Sequence, residues 1–232
     1  MKQKKLPGVY CMIMHGMYLA LKKDGQKSRS INKEAKMLDR LWRMIVALGF
    51  SLIIPLTIGA SRVCFADTSP AGYWKFDEDK GKVAKDSSPN ANDGEIIGGT
   101  WIKDDKVSAL QFNGIDNHVV SATHGLPTGN KPRTMSVWVK TNGGNAIIIG
   151  YGKPDQSQYS GLYLGGDGVF VMGFWSNDCA SGIVVNDGRW HHLIGTFDGE
   201  TVKTYVDGKA GNTRQTTAET VVGTSLYIGQ SG

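Results

Sequence analysis

The sequence predicts an all-β protein, built as a two-sheet antiparallel sandwich over residues 67–232. Three observations carry this. Apolar residues alternate over short runs from Tyr73 onward, glycine supplies 26 of these 166 residues and falls in turns, and no long helical period interrupts the runs. Short strands with one apolar face each need a second layer to cover that face, and two stacked sheets provide it.

Tyr73 to Asp77 reads as the first strand, and Asp86 to Gly94 as a loop dense in turn formers. Further strands are predicted over 108–113, 118–121, 133–140, 146–151, 161–164 and 169–175, with Gly165 to Gly168 turning between the last two. The clearest hairpin joins Trp190–Phe197 to Val202–Val206 through Asp198-Gly199, and a second Asp-Gly follows at Asp207-Gly208. Ser225 to Gly229 is the last strand expected.

Charge divides the chain in two. Residues 1–66 carry twelve Lys+Arg against three acids and residues 67–232 fourteen against eighteen, so the net charge of +5 comes from the N-terminal part. The remainder is mildly acidic and has no basic stripe, RNP-like run or helix-turn-helix pattern, which sets nucleic acid aside as a partner.

Between Arg43 and Arg62 lie eighteen uncharged residues, preceded by Arg40 and Arg43 and followed by Cys64-Phe65-Ala66. Residues 37–66 therefore read as a signal peptide cleaved after Ala66, or as an uncleaved membrane anchor helix at the short end of spanning length. Either reading exports residues 67–232 to the periplasm, cell surface or medium, with membrane contact only through this segment. Residues 1–36 form a basic extension, either a misassigned start ahead of Met37 or Met44 or a cytoplasmic tail. Cys179 is then the lone cysteine of the exported part and has neither a base nor a positive field beside it in sequence, so it reads as an inert loop thiol.

Five phrases in order carry a resemblance: Tyr73-Trp74-Lys75-Phe76-Asp77-Glu78, Asp86-Ser87-Ser88 with Asn92-Asp93-Gly94, Ala109-Leu110-Gln111-Phe112-Asn113-Gly114, Met135-Ser136-Val137-Trp138-Val139-Lys140 and Leu226-Tyr227-Ile228-Gly229. With the Trp190 hairpin, they resemble the bacterial laminin G-like, concanavalin A-like jelly-roll domains. The resemblance implies a jelly roll and a habit of binding rather than a reaction. Its family continues past the Ile-Gly strand into one carrying Ile-Asp-Glu, so it also implies that residues 67–232 are an incomplete domain with an open sheet edge.

Strand parity places Trp138, Tyr163, Trp175, Trp190 and Tyr205 opposite the core residues of their strands, and all five are expected on one sheet face. Flat aromatic faces beside polar groups suit sugar rings, so Trp138, Tyr163, Trp175 and Trp190 are the candidate ligand-binding residues. The competing reading covers these rings with the loops around Asn177 and Arg214 or adds them to the core.

Side-chain oxygens at Asp86, Asn92 and Asp93, with Asn113 and Asp116 in a turn expected nearby, are a candidate calcium site. Asx and Ser residues that satisfy their own turns are the alternative. His191 and His192 point to opposite strand faces and cannot share an ion, so they read as structural.

The glucanases of this fold carry Glu-x-Asp-x-x-Glu on a strand, and none of Glu78, Glu95, Glu200 or Glu219 begins that motif. No nucleophile elbow or phosphate loop occurs. The sequence therefore predicts a non-catalytic recognition module for glycans or glycoproteins. A structural or adhesive domain of a larger surface protein, or an accessory domain of a secreted enzyme, are the alternatives.

Overall fold

The computed structural model describes residues 9–12, 69–104, 107–221 and 225–231. The predicted signal peptide or anchor helix at 37–66, with Met37, Met44 and Cys64, lies outside the described residues.

Among the described residues the chain is all β, with no helix. Its strands are β1 (Val9–Met12), β2 (Val83–Ala84), β3 (Gly94–Ile97), β4 (Thr100–Asp104), β5 (Val107–Phe112), β6 (His118–Ser121), β7 (Arg133–Thr141), β8 (Ala146–Gly152), β9 (Tyr159–Leu164), β10 (Val169–Gly173), β11 (Cys179–Val184), β12 (Trp190–Phe197), β13 (Thr201–Val206), β14 (Lys209–Gln215) and β15 (Leu226–Ser231). A seven-stranded sheet runs β14-β13-β12-β7-β1-β5-β4 and an eight-stranded sheet runs β11-β10-β9-β8-β15-β6-β3-β2. All pairings are antiparallel.

Alternation decides the layering. β7 buries Met135, Val137 and Val139 and turns Ser136, Trp138 and Lys140 outward. β12 buries Leu193 and Phe197, and Phe197 meets Phe174 of the other layer with ring centroids 4.9 Å apart. Phe112, Ile148, Leu162, Phe170, Met172 and Ile228 complete a core contributed by both sheets. The Arg133 guanidinium is buried at the rim of this core, 5.7 Å from the centroids of both Phe174 and Phe197. It donates to Gly129 O, Lys131 O and Thr220 Oγ1 and so ties two loops to β7.

Three differences from the sequence expectations have physical reasons. Tyr73–Asp77 is not a strand: Trp74 makes one isolated bridge to Asp86, and Phe76 turns the backbone left-handed at φ 54°. β10 stops at Gly173, because Asp178 Oδ1 accepts from Phe174 N and Trp175 and Ser176 then adopt φ 60° and 71°. Cys179 lies in β11 rather than in a loop; its Sγ contacts Asn212 O at 3.5 Å, and burial pushes the thiol pKa up.

A fourth difference concerns β1. Val9–Met12 pairs with Thr141–Trp138 of β7, and Val9–Cys11 pairs with Phe112–Leu110 of β5. The sequence division at Ala66 leaves this strand outside residues 67–232, and it takes an interior position between β5 and β7. β5 and β7 each present a row of backbone groups to that position, and a short run of β-forming residues satisfies both rows.

Candidate functional site

The outer face of the eight-stranded sheet carries a trough of about 840 Å³. Behind its aromatic walls runs one row of the sheet. Tyr227 of β15 is opposite Gly150 of β8, Gly150 is opposite Gly161 of β9, and Gly161 is opposite Gly173 of β10. At this row three adjacent strands present no side chain outward, and aromatic rings lie across the bare backbone. A Cβ on Gly150 would overlap the Tyr159 hydroxyl, and one on Gly161 would stand 2.7 Å from the Tyr159 ring. The Tyr163 ring covers Gly173 in the same way.

Tyr159, Tyr163, Trp175 and Tyr227 are the aromatic walls, with Asn145, Asp178, Ser225 and Gln230 as polar groups among them. Trp175 is 45% exposed, which makes it the most open large aromatic on the trough. Its left-handed backbone, followed by that of Ser176, is an uncommon state for a bulky residue. The turn is held by Ser157 N donating to Trp175 O at 3.2 Å and Asn177 Nδ2 donating to Ser157 Oγ at 2.5 Å. Burial, and then a hydrogen bond to the Asp178 carboxylate, push the Tyr163 pKa well up, so this phenol stays protonated as a donor to Asp178.

Of the four residues expected to bind ligand, Tyr163 and Trp175 line this trough. Trp138 and Trp190 do not join them: they sit on β7 and β12 of the seven-stranded sheet, on the other face of the sandwich, as does Tyr205 on β13. Parity shows that a side chain points away from the core, but both sheets have such a face. Trp138 stacks on His192 with centroids 5.0 Å apart, and Trp190 Nε1 donates to Asp104 Oδ2 at 2.7 Å. Lys140 binds the same Asp104 oxygen at 2.6 Å, and hydrogen bonds from Lys140 and Trp190 hold that carboxyl below its ordinary pKa.

The oxygens proposed for calcium are taken by protein donors. Asp86 Oδ1 accepts from Tyr73 N and Ser88 N, and its Oδ2 from Ser88 Oγ and Asn92 N, all at 2.7–2.8 Å. Asn92 pairs its side chain with the backbone of His124, and Asp93 accepts from Asp86 N and Lys85 Nζ. Asn113 Oδ1 accepts three amides of its own turn, and Asn113 Nδ2 donates to Asp116. The two groups also lie at opposite ends of β6, since the 113–117 turn enters that strand and His124 follows its exit. The arrangement does not fit one calcium ion; it is two self-satisfied Asx loops. No group of three or more His, Cys, Asp or Glu converges as a metal site among the described residues.

Tyr159, Tyr227 and Asp178 were missed from the sequence. The available signal was Gly150, Gly161 and Gly173, since glycine inside a strand marks close approach of something to the backbone. What the spacing does not reveal is that the three align in register.

Residues 113–232 match the family described as the concanavalin A-like lectin/glucanases superfamily. No curated protein matches the chain in sequence. Among solved structures, domain 4 of AbnA, a GH43 extracellular arabinanase from Geobacillus stearothermophilus in complex with arabinotriose, is similar at 22% identity and TM-score 0.51, covering 63% of this chain and 78% of that one. Domains LG4–5 of the mouse laminin alpha1 chain align at 18% identity and TM-score 0.39, covering 48% of this chain and 31% of that one.

Proposed function

The chain belongs to the concanavalin A-like lectin/glucanases superfamily, and from that premise we propose that it is an exported, non-catalytic module that binds glycan in the trough of the eight-stranded sheet. The observation that carries the reading is Trp175, exposed on a left-handed backbone beside Tyr159, Tyr163 and Tyr227. Such a surface stacks on the C–H face of a sugar ring, while Asn145, Asp178, Ser225 and Gln230 offer hydrogen bonds to its hydroxyls.

The walls support binding rather than hydrolysis. Glycoside hydrolysis uses a pair of carboxyl groups across the scissile bond, and Asp178 is the one carboxylate among the described lining residues. Export rests on the uncharged run at 44–61 with its basic flank.

A glycan-array screen of the full chain, with arabinotriose included, tests the reading. Binding that weakens about thirtyfold in Trp175→Ala, the loss of a roughly 2 kcal/mol aromatic contact, is expected. A folded protein that binds no glycan overturns it and leaves the protein-contact reading.

A further inference from the structure

The charges around the trough select among glycans. Resting on the glycan-binding reading, we infer that the site takes uncharged oligosaccharides and turns away those bearing uronic acids or sulfates. Among the described residues that line it, one is an acid, Asp178, and none is Lys, Arg or His.

Asp178 is fixed in place by two hydrogen bonds. Its Oδ1 accepts from Phe174 N at 3.0 Å, and the carboxyl also accepts the Tyr163 hydroxyl; neither donor is a cation. The neighbouring cations are not among the lining residues. Lys153, next to the lining residue Pro154, pairs with Asp155 at 3.1 Å, and Arg214 donates Nη1 to the backbone oxygen of Asp178 at 2.6 Å.

A carboxylate or sulfate on a bound sugar would therefore lose water against apolar rings and meet the Asp178 carboxyl with no cation among the described lining residues. A neutral sugar meets no such opposition. Its hydroxyls find the amides of Asn145 and Gln230 and the Ser225 hydroxyl, which both donate and accept, and the Asp178 carboxyl oxygens, which accept.

The test uses the full chain and matched trisaccharides that differ only in oxidation at C6, such as galactotriose against trigalacturonate and mannotriose against trimannuronate, measured by calorimetry at low and high salt. The neutral member of a pair is expected to bind at least tenfold tighter, with the gap narrowing at high salt as repulsion is screened. Asp178→Asn keeps an oxygen for Phe174 N and is expected to lower the neutral-to-acidic ratio; the salt series stands alone if that variant fails to fold.

Equal or tighter binding of the acidic member, abolished by Trp175→Ala, overturns this inference and leaves the glycan site standing. Absence of any Trp175-dependent binding removes the glycan reading itself.

Discussion

Trp175 meets Tyr159 edge-on, with ring centroids 5.8 Å apart and planes at 65°. Tyr159 is 7% exposed and its hydroxyl has no hydrogen-bond partner among the described residues, so its contribution is the ring that backs Trp175. Tyr159→Ala is expected to weaken glycan binding about as much as Trp175→Ala, near thirtyfold. Tyr159→Phe removes a buried unsatisfied hydroxyl and is expected to raise Tm by about 2–4 °C, the shift that roughly 1 kcal/mol produces in a domain of this size. Calorimetry and thermal melts of both variants check this; a drop in stability for the Phe variant would show that the hydroxyl has a partner.

His191 stands between two carboxylates, Nδ1 at 2.8 Å from Asp207 and Nε2 at 3.0 Å from Asp187. A neutral imidazole has one N–H and satisfies one of them, whereas the imidazolium donates to both. Burial alone would lower this pKa, but the hydrogen bonds to Asp207 and Asp187 outweigh it and raise it above the ordinary 6.5. The resulting stability is fully present below pH 6.5 and is lost as pH rises through the folded-state pKa. Asp187, held down by Arg189 and then His191, adds stability present above its ordinary 3.8 and lost in acid. The His191 contribution to Tm is therefore expected to be largest between about pH 4 and 6.5 and to fall by roughly 2–4 °C towards pH 8.5, the effect of about one charge-assisted hydrogen bond. Melts of wild type and His191→Gln across this range check it, the variant losing the alkaline decline.

Asp86 already accepts four hydrogen bonds, two on each carboxylate oxygen. Calcium at a hundred times its Kd would add about 2.7 kcal/mol and raise Tm visibly. No difference between melts in calcium and in EDTA is expected, while Asp86→Ala, which orphans Tyr73 N and Asn92 N, is expected to lower stability by about 2 kcal/mol. A calcium-dependent rise in Tm would restore the metal reading.

β1 gives the seven-stranded sheet its link between β5 and β7. A chain started at Asp67 lacks that link. Faster amide hydrogen exchange in β5 and β7 than in the full chain is the expected result, with slow exchange kept in β9 and β10. Equal protection in the two chains would show that β1 does not occupy this position in solution.

Several elements were readable from residues alone. His118–Ser121 and Trp190–Phe197 were placed with their observed bounds, because alternation and Asp-Gly turns are local properties. β3, β4, β11 and β14 were not anticipated. Cys179–Val184 and Lys209–Gln215 carry little alternation, and their pairing with β10 and β13 is what makes them strands. Half of the expected aromatic set reached the trough, for the same reason that limited the rest of the reading.

Residues alone were enough for the all-β class, the antiparallel hairpins, the family and the core-facing side of the strands they predict, since these depend on residue period and turn chemistry over a few positions. Tertiary structure alone decided which outward face each aromatic joins. Trp138 and Tyr163 obey the same parity on strands of different sheets, and only the strand order separates them. It also decided that Gly150, Gly161 and Gly173 fall in one row, because register between strands is fixed by the packing of the whole sandwich and not by any one of them.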